Sequence, residues 1–153
     1  MFARKDIDVT VFRVALIATA TAVTAIGIAS TAHADPEYQL FQDASGNIKC
    51  ETTISYKGDP YANCTVRNAA YTVPADKCDF AGPANAQFGL TQGSTPSLSC
   101  VVASGDYQWP TIDFGQTRSV GTVTCDNEPQ GMTCTDAGTG HFFRISTDSY
   151  NFG

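Results

Sequence analysis

The chain has 153 residues, with nine lysines and arginines against fifteen aspartates and glutamates, a formal net charge of −6, 16% charged and 42% hydrophobic residues. That length holds one domain, or one domain with a processed segment. The acid excess excludes the basic footprint of a nucleic-acid binder, and the ordinary apolar share with few charges excludes charge-driven disorder.

In chain order, the first element is an export signal. Arg4, Lys5 and Arg13 precede a charge-free run from Val14 to Ala29, and Ala32-His33-Ala34 follows with small residues at both positions that signal peptidase reads. The run is about 16 residues and rich in Ala and Thr, short for a membrane span, so cleavage is expected between Ala34 and Asp35. Residues 1–34 are read as a signal peptide and 35–153 as a single secreted β-rich domain, with no stable membrane insertion after cleavage. Cleavage there removes three basic and two acidic side chains and leaves 119 residues at a net charge of −7. His141 is then the one remaining histidine, and all six cysteines stay. The acidic surface repels nucleic acid and anionic lipid and is compatible with a cationic partner.

Short runs of β-branched and aromatic residues between turn residues then recur, while Gly or Pro interrupts nearly every window long enough for an amphipathic helix. Tyr38 to Phe41 is the first predicted strand, Asp43 to Gly46 a turn, Asn47 to Ile54 the second strand and Tyr61 to Arg67 its return. Residues 68–85 are the least regular and have room for a short helix. Ala86 to Thr91 and Leu98 to Ala103 follow, joined by Gln92 to Pro96. Thr111 to Phe114, Val120 to Cys125, Met132 to Thr135 and His141 to Ile145 complete the set. The expected fold is all-β, a small antiparallel sandwich or barrel built from hairpins, without internal repeat or second domain.

Six cysteines behind an export signal read as three disulfides, and none of their spacings is the close pair of a zinc site. Glu128-Pro129-Gln130-Gly131 fits a type I turn. Pairing Asn127 with Met132 around it sets Cys125 opposite Cys134, within bridging reach. The same reasoning pairs Cys50 with Cys64 across the turn Ser55 to Pro60. Cys78 and Cys100 pair by elimination.

Ser45-Gly46-Asn47-Ile48-Lys49-Cys50 resembles the S-G-N-I-x-C opening of a family of small secreted actinobacterial, mycobacterial-type proteins of unknown function. Gly121 to Cys125, Gly131 to Cys134, Thr139-Gly140-His141 with Phe143, Ile145 and Ser146, and Tyr150 extend the likeness over most of residues 38–152. Two positions depart from it, where Phe142 and Thr147 stand. The resemblance implies an exported disulfide-bonded domain and supplies no catalytic residue.

Chemistry is thinly marked. His141 would have to serve any His-dependent nucleophile; Ser146 and Ser149 lie near it in sequence, but G-x-S-x-G is absent. The alternative for His141 is a structural role beside a Gly-rich turn. Asp106, Asp113, Asp126, Glu128 and Asp136 are carboxylates of the type a glycosidase uses, and Asp126, Asn127, Glu128 and Asp136 offer oxygen ligands without EF-hand spacing; Asp is equally a common turn residue. Asn63-Cys64-Thr65 matches a glycosylation sequon inside a predicted strand. The segment Ser104 to Pro110 joins two strands and carries Tyr107 and Trp109, the sole tryptophan; aromatics on a loop over a rigid scaffold suit ligand binding, and the competing reading plugs Trp109 into the core. These features point to a monomeric, secreted, non-enzymatic domain with no cofactor that binds an extracellular or envelope partner. The alternatives are an inhibitor of an extracellular enzyme and a small carboxylate-dependent envelope hydrolase.

Overall fold

The computed structural model describes residues 37–79, 84–103 and 105–153. The leader and cleavage site predicted from the sequence fall outside the described residues, as does Ser104. The described chain is all-β, as the sequence pattern predicts: two antiparallel five-stranded sheets packed face to face, a sandwich rather than a barrel. Sheet one contains β1 (Tyr38–Gln42), β2 (Ile48–Ile54), β3 (Pro60–Val66), β4 (Ala84–Thr91) and β5 (Ser97–Val102) in that spatial order. Sheet two contains β6 (Thr117–Val120), β7 (Val123–Glu128), β8 (Gly131–Asp136), β9 (Phe142–Ile145) and β10 (Tyr150–Phe152), also side by side in sequence order.

Alternation decides which side of each strand is buried. Ala62, Cys64 and Val66 of β3, Ala86, Phe88 and Leu90 of β4, Val123 and Cys125 of β7, and Phe143 and Ile145 of β9 all point into the space between the sheets. The Phe88 ring centroid lies 5.9 Å from Phe143 and 5.3 Å from Tyr150, so an aromatic cluster spans the two sheets.

All three disulfides pair as expected: Cys50–Cys64, Cys78–Cys100 and Cys125–Cys134. Cys50 faces Cys64, Cys125 faces Cys134 and Asn127 faces Met132 in register. The first and third bridges lie on the inner faces of opposite sheets and meet, with Cys64 Sγ 3.8 Å from Cys134 Sγ.

Three parts of the strand pattern differ from expectation. The run Val120 to Cys125 is two strands, because Gly121 takes φ +54 and turns the chain in a two-residue hairpin that pairs Val120 with Val123. A glycine at the first central position is what a type II′ turn requires. Thr111 to Phe114 is no strand; a single parallel bridge joins Thr111 to Gln42, and the chain then bends where Gln116 N donates to Asp113 O. Tyr150–Phe152 forms an unexpected last strand, three residues long, paired with β9. Among its described residues, the irregular region holds one 3₁₀ turn, Ala75–Lys77.

Candidate functional site

The topology dictates where the aromatic segment lies. The sheets stack with β2 over β6 and β4 over β8 and β9, so β5 and β6 occupy opposite edges of the sandwich. The connection between them therefore has to cross the width of a sheet. Five strands about 4.8 Å apart make that crossing roughly 19 Å. The described part, from Gly105 on, runs over the outer face of sheet one, above Lys49 of β2, Thr65 of β3, Asn85 of β4 and Val101 of β5.

Gln42, the last residue of β1, anchors the far end of the crossing. It is buried, and its backbone N–H donates to Pro110 O at 2.9 Å while its carbonyl accepts from Ile112 N at 3.0 Å. Its side-chain Oε1 accepts from Trp109 N at 3.1 Å, and its Nε2 donates to Gln108 Oε1 at 3.2 Å. Ile112 then enters the core and its carbonyl accepts from Asn127 Nδ2 at 2.8 Å, so the segment is tied to both sheets. Nothing in the sequence marks Gln42 for this role beyond its place at a strand end.

Trp109 lies half-buried on the outer face and is no part of the core between the sheets. Tyr107 is 69% exposed. The two rings border a cavity of about 90 Å³ with Lys49, Arg67, Thr65 and Asn85. Lys49 is only 8% exposed, and its ammonium donates to the Tyr107 carbonyl. Arg67 pairs with Asp106, whose carboxyl is held below its ordinary pKa by the hydrogen bond and charge of that guanidinium, with a smaller contribution from Lys49. The structure thus brings both predicted aromatics together with two cations that the sequence reading did not single out. The signal for them is register: Lys49 and Thr65 are cross-strand partners, and the residues of their strands facing away from the core share one surface.

Beyond this pocket the outer face of sheet one carries a ladder of hydrogen-bonded amides and hydroxyls around the Glu51 carboxylate. Glu51 Oε1 accepts from Tyr61 Oη at 3.0 Å and from Asn63 Nδ2 at 3.4 Å, and Ser99 Oγ donates to Gln87 Oε1 at 3.2 Å. Burial, and then the hydrogen bond to Glu51, push the Tyr61 phenol up to about 12. The sequon asparagine is therefore part of this ladder.

The other chemical candidates are dispersed. Asp126 and Glu128 face outward on β7, where Asp126 accepts from Thr117 Oγ1 at 2.6 Å and Glu128 pairs with Arg144 at 3.2 Å. Asn127 and Asp136 face inward and are buried, so the four oxygen-bearing residues do not share a surface. His141 contributes its backbone, its carbonyl accepting from Asp136 N at 2.9 Å. The Ser146 hydroxyl accepts from Asp148 N and Ser149 N, forming the turn between β9 and β10. Among the described residues, the one cluster of metal-type ligands is Cys64, Cys125 and Cys134, all oxidised in disulfides. No helix among the described residues is long and apolar enough to cross a membrane.

Comparison of the chain with protein-family models, with curated proteins and with solved structures finds no match.

Proposed function

We propose that the protein is an exported, non-enzymatic binding domain of the cell exterior or envelope, and that it recognises its partner through the outer face of sheet one. The observation that carries this reading is the segment laid across that face, which holds Tyr107 exposed and Trp109 half-buried above a row of hydrogen-bonding side chains. Rigid aromatic anchors beside adaptable polar contacts are the composition of a recognition surface. Three disulfides suit an oxidising compartment, in keeping with the leader read from residues 1–34 and with an exported chain that begins at Asp35.

Trp109, as the sole tryptophan, reports this face directly. The free protein should emit at an intermediate wavelength and be quenched by acrylamide. Fractions of an envelope extract should be screened for one that protects it, and Tyr107→Ala should weaken that protection. Absence of protection across all fractions, together with turnover of a glycan or peptide by the same preparation, would replace the binding reading with a catalytic one.

A further inference from the structure

We propose that the Lys49–Arg67 pocket takes the carboxylate of an acidic sugar, the remainder of the saccharide lying along the polar face of sheet one. The proposal rests on the binding reading above and names the ligand class of that same surface.

An ammonium carries three donors, and burying it is costly unless its charge is met by an anion. Lys49 is 8% exposed and donates to one neutral carbonyl, that of Tyr107. The carboxylate of this neighbourhood, Asp106, is bound by Arg67 and its side chain is 71% exposed, at the rim. Two of the six cations that follow residue 34 therefore converge on one small cavity, with one peripheral acid between them, in a chain of negative net charge. Thr65 and Asn85 add a hydroxyl and an amide as neutral donors. Arginine and lysine together recognise an oxyanion, and the planar guanidinium matches a carboxylate in particular.

Size and surroundings narrow the ligand. A cavity of about 90 Å³ admits an acid group but not the ring that bears it. That ring would rest outside, its C–H face against Trp109 or Tyr107, with its hydroxyls toward the outward amides and hydroxyls of Asn63, Gln87 and Ser99. Leu40 and Val101 share this face, but the amides and hydroxyls on β3, β4 and β5 beside the Tyr107 and Trp109 side chains suit a hydroxyl-rich chain better than a peptide. The negative charge of the whole molecule opposes a polyanion, so the acid should be isolated on an otherwise neutral glycan.

Cellobiose and cellobiouronic acid, which differ by one hydroxymethyl-to-carboxylate change, test this on the purified protein by calorimetry and Trp109 fluorescence. Cellobiouronic acid should bind about tenfold tighter at low salt, the scale of one charge-assisted contact, and lose that advantage as salt rises. Lys49→Met and Arg67→Gln should each abolish the preference; Arg67 is partly exposed, so its variant keeps the fold, with an unchanged melting temperature as the check. Equal binding of the two sugars with Trp109 quenched would remove the acid pocket and leave the binding surface standing. Persistence of the preference in both variants would overturn the proposal, as would tighter binding of glucose 6-phosphate or of a tripeptide C-terminus. Failure of both sugars to bind would also overturn it, and protection of Trp109 by an envelope fraction would then show that the surface still has a partner of another class.

Discussion

Asp136 sits buried at the end of β8 and accepts four hydrogen bonds: from Thr122 Oγ1 at 2.6 Å, Gly93 N at 2.8 Å, Thr139 Oγ1 at 2.9 Å and Gly138 N at 3.1 Å. Gly93 belongs to the turn between β4 and β5, so this one carboxylate ties sheet two to sheet one. The Thr122 hydroxyl, and then the Gly93 N–H, hold its pKa well below the ordinary carboxylate value, against the opposing effect of burial. A lowered folded pKa contributes stability that is complete above the unfolded value of about 4 and is lost as pH falls through the folded one. The melting temperature should therefore drop between pH 5 and pH 2. Asp136→Asn should cost about 2–4 kcal/mol at neutral pH and flatten that drop; a variant with an unchanged pH profile would deny the carboxylate this role. Gly131 is the second residue on which the fold turns. Its φ is +130, and a Cβ there would collide with the carbonyl oxygen of Ile145. Gly131→Ala should destabilise by about 1–3 kcal/mol or more through the strained φ and the clash of the new Cβ, measurable by urea denaturation, with the disulfide pattern intact.

At the scale of the strands, whatever the chain states locally was legible. Turn residues between alternating runs located β1 to β5, and the turn at Pro129-Gln130 fixed the register that sets Cys125 against Cys134. What stayed hidden depends on distant partners. β10 has three residues and exists because Ile145 and Phe143 offer their edge to Tyr150 and Phe152. Thr111 to Phe114 has the composition of a strand, yet its neighbour β1 gives it only the two backbone bonds around Gln42. Tyr107 and Trp109 could be picked by type and position, whereas Lys49 and Arg67 become part of their site because the connection crosses sheet one, a fact of topology that no local pattern carries. The same dependence makes Gln42 a test of the segment. Gln42→Ala removes the side-chain bonds to Trp109 N and Gln108 while keeping the backbone bridge to Pro110 and Ile112. Trp109 emission should shift to the red and acrylamide quenching should rise, with a loss of stability of about 1 kcal/mol; an unchanged spectrum would mean that Gln42 does not position the ring.

For the molecule as a whole, the three bridges divide by their surroundings. Cys50–Cys64 and Cys125–Cys134 join neighbouring strands, are fully buried and touch at the centre of the sandwich. Neither links the two sheets, which are held together by the burial of Phe88, Phe143, Ile145 and their neighbours and by polar ties that include Asp136, the Gln39 amide donating to the Ser119 carbonyl, and the segment anchored at Gln42 and Asn127. Cys78–Cys100 is different: it fastens the irregular region to β5, an edge strand, and both residues are half-exposed. Thiol–disulfide exchange needs a thiolate to reach sulfur. In a reductant under native conditions Cys78 and Cys100 should therefore be released and alkylated first, while the other four cysteines wait for global opening of the sandwich. Each bridge closes a loop of 9 to 22 residues, a constraint of about 3 kcal/mol on the chain-entropy model. Losing the peripheral one should lower the melting temperature yet leave the two sheets and the Trp109 signal in place, because the crossing segment is anchored at Gln42 and Asn127 rather than at Cys100. Cys134→Ala, in contrast, opens the core and leaves a lone thiol beside Cys64, at a cost of about 2–5 kcal/mol. A time course of alkylation with peptide mapping decides the order. Release of all six thiols in a single phase would show that the sandwich opens before its outermost bridge is reached, and would make the irregular region an integral part of the folded core.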